Sequence, residues 1–164
     1  MWGNSMKTKP GAEFMSPALR EARKNLSDMR GGPFGACIVK DKKIIAVSRN
    51  TVLKQDATCH AEINAIRKAS KKLRTYDLSG CSIYSTTEPC PMCFSAIHWA
   101  KINVLVYGNT ITDAKRVGFN ELSIPSARMK KLGRAKLKII PGFMRDEANQ
   151  LFKKWATLSN KKLY

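Results

Sequence analysis

A histidine and a glutamate stand two residues apart, as His60 and Glu62, at the head of the helix-patterned segment "HAEINAIRKASKKL". Residues two apart on a helix do not face each other, so this pair is not a salt bridge within the helix. Further along, "PCPMC" places Cys90 and Cys93 at the start of a second helix-patterned segment, directly after a strand. Imidazole and thiolate groups bind zinc, and three protein ligands with one open position are typical of catalytic zinc sites.

We therefore predict that His60, Cys90 and Cys93 bind one Zn²⁺ per subunit, at a point where two helix N-termini meet. The partial positive charge of these helix ends favours thiolates. Zinc with two thiolates is formally neutral, so it lowers the pKa of a bound water less than zinc with three imidazoles would. We expect Glu62 to take the proton of that water and deliver it to the substrate. The joint pattern H-x-E and P-C-x-x-C is typical of zinc nucleobase deaminases.

Two other interpretations of the cysteine pair remain open at this point. A C-x-x-C pair at a strand-to-helix turn is also used by thioredoxin-like redox proteins, which need no histidine. A structural zinc site would need a fourth ligand, for which Cys59 is available, although its adjacency to His60 is awkward. The chain has five cysteines in all, and an odd number without a secretory signal indicates reduced thiols in a cytoplasmic protein. We expect Cys37 and Cys81 to be small core residues.

The order of the elements predicts an α/β fold, a three-layer α/β/α sandwich with a mixed five-stranded sheet. Apolar periodicity and turn residues indicate the order α-β-β-α-β-α-β-α-β-α along the chain. The short fourth helix is expected to start at Thr112 as its N-cap. The predicted helices cover residues 18–29, 60–73, 91–100, 112–119 and 145–158, and the predicted strands cover residues 34–40, 43–50, 81–86, 103–108 and 136–140.

The length of 164 residues is that of one domain, which we place at residues 13–164. Residues 1–12 are predicted to be a disordered leader or cloning remnant, without the apolar region of a secretory signal. No apolar run approaches the roughly 20 residues that span a bilayer, so no membrane partner is expected.

The net charge of +18 is high for this length. Six basic residues and no acidic residue lie between Arg128 and Lys138. Such a stretch is typical of a nucleic-acid surface, so RNA is a candidate partner. A solvated basic face is the alternative, since few aromatic residues lie among the charges to stack on bases.

At the metal-binding motifs the chain resembles the cytidine deaminase superfamily, and within it the bacterial guanine deaminases and their guanosine-acting relatives. The resemblance runs through "GGPFGACIVKD", "HAEINAIRKA", "EPCPMCFSAIHWA" and "DAKRVGF", and reappears in "LFKKWATLSNKKLY". It implies a homodimeric zinc enzyme that hydrolyses guanine to xanthine and ammonia. It also implies that the C-terminal segment 142–164 is swapped between subunits, so that its final tyrosine closes the neighbouring active site.

The same resemblance assigns further site residues. Glu121 is expected to recognise or protonate the substrate, because guanine presents N–H donors that need an acceptor. An asparagine after the second strand contacts the purine in this family, and an amide can both donate and accept. The expected substrate-binding residues are Phe34, Asn50, Ala61, Trp99 and Tyr164.

Two features depart from the guanine deaminase pattern. The loop before His60 reads Asp56-Ala57-Thr58-Cys59 and is one residue shorter, and the basic segment 125–142 differs from the family text. Adenosine deamination in tRNA and cytosine deamination are therefore alternatives, because the core motifs are shared by these enzymes. A non-catalytic nucleic-acid-binding module stabilised by zinc is a further alternative. Glu62 discriminates against it, because a structural zinc site has no use for this carboxylate.

Overall fold

The structure is a computed structural model that describes residues 9–164. These residues form a five-stranded sheet of order β2-β1-β3-β4-β5. The strands are β1 Gly35–Lys40, β2 Lys43–Arg49, β3 Cys81–Thr87, β4 Val104–Asn109 and β5 Lys138–Ile140. The helices are α1 Ala12–Asp28, α2 Ala61–Leu73, α3 Pro91–Trp99, α4 Ile111–Arg116, α5 Ser126–Gly133 and α6 Arg145–Thr157. β1 is antiparallel to β2 and β3, whereas β3, β4 and β5 are mutually parallel, so the predicted mixed sheet is confirmed.

Helices cover both faces of the sheet, as the three-layer prediction requires. Successive residues of a strand point to opposite faces, so a strand covered on both sides is apolar throughout. In β4, Leu105 and Tyr107 face the core beneath α2 and α3, whereas Val106 faces the core beneath α1 and α6. Cys37 and Cys81 are fully buried, as predicted for core residues. Within residues 9–164, no helix is long and apolar enough to cross a membrane.

Three helices differ from the sequence prediction: α1 and α4 in where they begin, and α5 in being present at all. α1 begins at Ala12, inside the predicted leader, and residues 1–8 of that leader lie outside the described residues. α4 is capped by Thr110 and not by Thr112, because the Thr110 hydroxyl accepts the N–H of Asp113 while the Asp113 carboxylate accepts the N–H of Thr110. α5 was not predicted, since its basic residues concealed the half-buried Met129 that packs on the core.

Asp113 links α4 to α6 and makes the free energy of unfolding depend on pH in the acidic range. Its buried carboxylate caps α4 and accepts a hydrogen bond from Arg145 Nη2 at 2.9 Å. Burial raises the pKa of Asp113, but the hydrogen bonds from Thr110 and Arg145 outweigh burial and lower the pKa below its ordinary value. The charged carboxylate therefore stabilises the fold above the ordinary aspartate pKa, and this stability is lost as the pH falls through the lowered folded value.

We expect Asp113→Asn to reduce the free energy of unfolding by about 2 kcal/mol at neutral pH, because a cap and an ion pair are both lost. Urea unfolding at neutral and acidic pH measures this loss, which should shrink as the pH falls below the ordinary aspartate pKa and through the lowered pKa of folded Asp113. The exposed Asp146, in the first turn of α6, provides the control Asp146→Asn. An equal loss of stability at both pH values would contradict the role of the Asp113 charge.

Candidate active site

The three predicted zinc ligands meet at the N-termini of α2 and α3. His60 is the N-cap of α2 and Cys90 is the N-cap of α3, each with extended backbone angles, and Cys93 lies in the first turn of α3. His60 Nδ1 lies 3.7 Å from Cys90 Sγ and 3.5 Å from Cys93 Sγ. The ligand atoms of all three residues lie within 4.8 Å of one another. The sequence prediction of this cluster is therefore matched by the geometry.

The geometry of the cluster fits zinc. Tetrahedral zinc bonds of roughly 2.0 to 2.3 Å place neighbouring nitrogen and sulfur ligands about 3.6 Å apart, which agrees with the observed separations. One imidazole and two thiols also form a typical catalytic donor set, in which a fourth position stays open for water or substrate. Cys59 does not join the cluster, because its Sγ atom contacts Asp56 Oδ2 and Arg67 Nη1 instead. A four-ligand structural site that uses Cys59 is therefore not what the chain builds.

The cluster also favours a thiolate. A hydrogen bond from Cys93, together with the neighbouring His60, lowers the pKa of Cys90 to about 4 against the effect of burial. The pKa of the more deeply buried Cys93 is raised, first by the hydrogen bond to Cys90 and also by burial. Thiolate is the form that binds metal, so the lowered pKa of Cys90 favours binding of a cation.

Glu62 lies beside the cluster with its carboxylate held from both sides. Ser85 on β3 donates a hydrogen bond to Glu62 Oε1 at 2.8 Å, and Cys93 Sγ lies 3.5 Å from Glu62 Oε2. Burial raises the pKa of Glu62 above its ordinary value. A buried carboxylate with a raised pKa can both accept and return a proton, which is the task of a general acid and base.

A cavity of about 290 Å³ opens over the cluster. Five of the predicted substrate-binding and catalytic residues line it, and they come from distant parts of the chain: Phe34, Asn50, Glu62, Glu121 and Tyr164. Further lining residues were not predicted: Val52, Ala57, Thr87, Glu88, Phe119 and Asn120. The Phe34 and Phe119 rings meet edge to face with centroids 4.8 Å apart and form an apolar part of the wall. The cavity therefore combines a metal-binding end, an apolar wall and a few polar groups, as small-ligand sites do.

The amide of Asn50 is oriented by its own loop. Asn50 Oδ1 accepts the N–H of Val52 at 3.1 Å, which leaves the amide nitrogen to donate elsewhere. The Asn50 backbone is fixed by Asn25, whose Nδ2 donates to the carbonyl of Asn50 at 2.8 Å. A side chain at Gly31 would meet Asn50 Oδ1 at 2.0 Å, so this close approach requires glycine.

Glu121 and Tyr164 contribute polar groups to the wall of the cavity. Burial and the nearby Cys90 charge raise the pKa of Glu121 to about 7. The Tyr164 hydroxyl accepts the N–H of Gly32 at 2.8 Å, and burial raises its pKa. The Tyr164 carbonyl accepts the N–H of Asn120 at 3.3 Å, so the last residue is joined to two parts of the wall.

Two of the predicted substrate-binding residues, Ala61 and Trp99, do not line the cavity. Trp99 lies at the C-terminal end of α3 with 77% of its surface exposed, and it does not line the cavity. The reason is geometric, because a nine-residue helix that starts at the cluster carries its last residue about 12 Å away. Ala61 is fully buried in the core, so only its neighbours His60 and Glu62 reach the cavity.

Tyr164 lines the cavity of its own chain, whereas the resemblance placed it in the site of a neighbouring subunit. The swap of segment 142–164 and the homodimer concern a second subunit and stay predictions. Ser85 and Glu88 were missed by the sequence analysis. Alternation along β3 could have indicated Ser85, and a charge directly after a buried strand could have indicated Glu88.

Comparison with known proteins assigns the family. Residues 9–109 match the sequence model of the cytidine and deoxycytidylate deaminase zinc-binding region. The chain is 40% identical over 154 residues to guanine deaminase of Bacillus subtilis, which covers 92% of this chain and 97% of that protein. It is 37% identical over 124 residues to the tRNA-specific adenosine deaminase of Buchnera aphidicola, which covers 73% and 76% of the two chains. The solved structure of guanine deaminase from Nitrosomonas europaea matches with a TM-score of 0.81 and 30% identity, over 93% of this chain and 88% of that chain.

The fold and the site are those of a zinc-dependent hydrolytic deaminase that acts on a nucleobase. The chain belongs to the cytidine and deoxycytidylate deaminase family.

Proposed function

We propose that the protein converts guanine and water to xanthine and ammonia. The observation that carries this proposal is that Glu121 and Tyr164 line the same cavity as the metal-binding residues His60 and Cys90. Guanine presents ring and amino N–H groups, for which a buried carboxylate is the matching acceptor. The similarity to Bacillus subtilis guanine deaminase extends along nearly the whole of both chains, which also supports guanine.

Zinc held by His60, Cys90 and Cys93 would supply Lewis-acid activation of a water. Glu62 accepts one proton of the water and gives it to the ring nitrogen beside the amino-bearing carbon, as the water oxygen bonds to that carbon. Glu62 then passes the second proton of the water to the amino group, the C–N bond breaks, and ammonia leaves. The water oxygen stays on the ring as the new carbonyl, so atoms and protons balance.

The other polar groups orient the base for this reaction. The Asn50 amide nitrogen donates to a purine acceptor, and the Glu121 carboxylate accepts a purine N–H. Phe34 and Phe119 pack against the base, because aromatic rings stack on or meet the edges of other π-systems. Buried polar groups discriminate strongly between bases, since a wrong base leaves them without hydrogen-bond partners.

The proposal is tested by ammonia release from the zinc-loaded protein. Guanine, guanosine, cytosine and adenine are offered separately, beside a tRNA transcript that is analysed for inosine, with Glu62→Ala as the inactive control. We expect turnover of guanine that is lost in the control. Inosine in the tRNA, without ammonia from any free base, would overturn the proposal.

Adenosine deamination in tRNA is the second candidate. The net charge of +18 favours it, because phosphate contacts are made by lysine and arginine. Five basic residues of α5 and its flanks form no ion pair among the described residues: Arg128, Lys130, Lys131, Arg134 and Lys136. Tyr164 weighs against this candidate, since a C-terminal tyrosine at the cavity is part of the resemblance to guanine deaminases.

We also propose that the protein acts as a homodimer, as the resemblance implies. Trp99 on α3 and Leu132 on α5 are 77% and 71% exposed, and these two helices contact each other. Large exposed apolar side chains are typical of surfaces that bind a partner. Sedimentation of the zinc-loaded protein decides between one and two subunits, and a monomer at all concentrations would contradict the proposal.

Glu121→Gln tests the recognition of guanine. We expect kcat/KM for guanine to fall by about 100-fold, because the amide presents an N–H group to the base where the carboxylate accepted one. The matched control is Glu147→Gln on the exposed first turn of α6, which should leave kcat/KM unchanged. An unchanged kcat/KM in Glu121→Gln would exclude a role of this residue in the recognition of guanine.

A further inference from the structure

Glu88 connects three parts of the chain at the edge of the cavity. It follows β3 directly and its surface is only 7% exposed. One carboxylate oxygen accepts the N–H of Ile111 at 3.1 Å, and the other accepts the N–H of Ser126 at 2.7 Å. Ile111 and Ser126 are the first residues of α4 and α5, so one side chain caps the N-termini of two helices.

The segment between these two hydrogen bonds carries part of the cavity wall. Between α4 and α5, the loop 117–125 contributes Phe119, Asn120 and Glu121 to the lining. The tip of this loop is exposed at Leu122 and Ile124, so it receives little support from the core. Pro125 is the N-cap of α5 and has no side-chain acceptor, which leaves the cap of α5 to Glu88.

Glu88 is itself firmly held. Its backbone N–H donates to the carbonyl of Asn109 at 2.7 Å, which fixes it to the end of β4. Burial and the Glu88 charge raise the pKa of Tyr107 to about 12, which places the Glu88 carboxylate next to this tyrosine on β4. Through Glu88, the first residues of α4 and α5 are therefore fixed to the end of β4 in the sheet.

We infer that Glu88 is a positioning residue, which holds both ends of the segment 111–126, made of α4 and the loop 117–125, so that Glu121 in this loop faces the bound base. This inference rests on the proposed function, because Glu121 is the group through which Glu88 acts on guanine. Glu88 contributes no proton to the reaction. It determines where the loop lies. Its replacement should therefore weaken the binding of the base more than it slows the chemical step.

The first measurement is hydrogen exchange of the zinc-loaded protein, followed by mass spectrometry of peptides that cover residues 117–125. We compare Glu88→Gln and Glu88→Asp with the wild type. Glutamine turns an N–H group toward one of the two backbone donors, and aspartate keeps the charge but is one methylene too short to reach both. We expect faster exchange of the loop in both variants, with unchanged zinc content. Exchange at the wild-type rate in both variants would overturn the inference.

The second measurement is the kinetics of guanine deamination in Glu88→Gln, Glu121→Gln and the double variant. We expect KM to rise about tenfold in Glu88→Gln while kcat changes little, because the loop no longer presents Glu121 to the base. Residues that act through one another are not additive, so Glu88→Gln should cost little once Glu121 is replaced. Fully additive losses would reduce Glu88 to a structural cap.

Glu88→Asp separates position from charge. If the loss came from the charge of Glu88 acting on the cavity, the aspartate would restore KM, and this result would also overturn the inference. Asp77→Asn is the matched control: Asp77 accepts a backbone N–H in the loop before β3, at the opposite end of that strand, and should change neither loop exchange nor KM. If the wild type deaminates no guanine, the proposed function fails, while loop exchange still decides whether Glu88 holds the segment.

Discussion

Glu62→Gln is expected to lower kcat for guanine by roughly a thousandfold or more, the upper range for loss of a general acid and base. Glutamine keeps the size of the side chain and an acceptor for the Ser85 hydroxyl, which donates at 2.8 Å. It cannot take a proton from water or return one to the leaving amine. Steady-state ammonia release measures the loss, and zinc analysis with thermal unfolding confirms that the variant is folded and loaded.

Ser85→Ala provides the graded comparison for this prediction. It removes the hydrogen bond that orients Glu62 and leaves the carboxylate in place, so the loss of kcat should be much smaller than in Glu62→Gln. Full activity in Glu62→Gln would exclude Glu62 as the proton carrier. If neither the zinc-loaded wild type nor Glu62→Gln released ammonia, the result would favour the non-catalytic binding module, which makes no use of the carboxylate.

Cys93→Ser is expected to remove both zinc and activity. The thiol of Cys93 lies 3.5 Å from His60 Nδ1 and is fully buried, so a hydroxyl in its place is a weak ligand that no outside group can replace. The wild type should gain stability when zinc is added, by about 2.7 kcal/mol at a free zinc concentration 100 times the Kd, and the variant should gain none. Zinc content and thermal unfolding with and without added zinc measure both effects.

Cys59→Ser is the matched control for the zinc prediction. Cys59 adjoins His60 in the chain, but its sulfur contacts Asp56 and Arg67 outside the cluster. It should keep one zinc per chain and its activity. Loss of zinc in Cys59→Ser would contradict a three-ligand site and favour the structural arrangement with four ligands.

The metal-binding end of the site could be predicted from the sequence because its determinants are local. His60 and Glu62 lie two residues apart at one helix start, and Cys90 and Cys93 lie three apart at another. A strand-to-helix turn fixes the direction of such residues without knowledge of the rest of the fold. The five strands along the chain and the two covered faces of the sheet could also be predicted, from apolar periodicity and the order of the elements.

The rest of the cavity wall could not be predicted in this way, because long-range packing assembles it. Phe119 lies in a loop whose place depends on α5, and α5 was hidden in a run of basic residues. Trp99 was assigned to the base from resemblance, although the length of α3 carries it to the surface. The charge of Glu88 directly after a buried strand marks the residue, but its role could not be predicted, because its two partners are backbone N–H groups far along the chain.

The most direct test of the account follows the oxygen atom. Guanine is incubated with the zinc-loaded wild type in water enriched in heavy oxygen, and the product is identified by mass spectrometry beside the Glu62→Gln variant. The account predicts xanthine that carries one heavy oxygen at the carbon that held the amino group, with one ammonia released per xanthine and no product from the variant. Unchanged guanine after incubation with the wild type, under conditions in which adenosine in tRNA becomes labelled inosine, would contradict it.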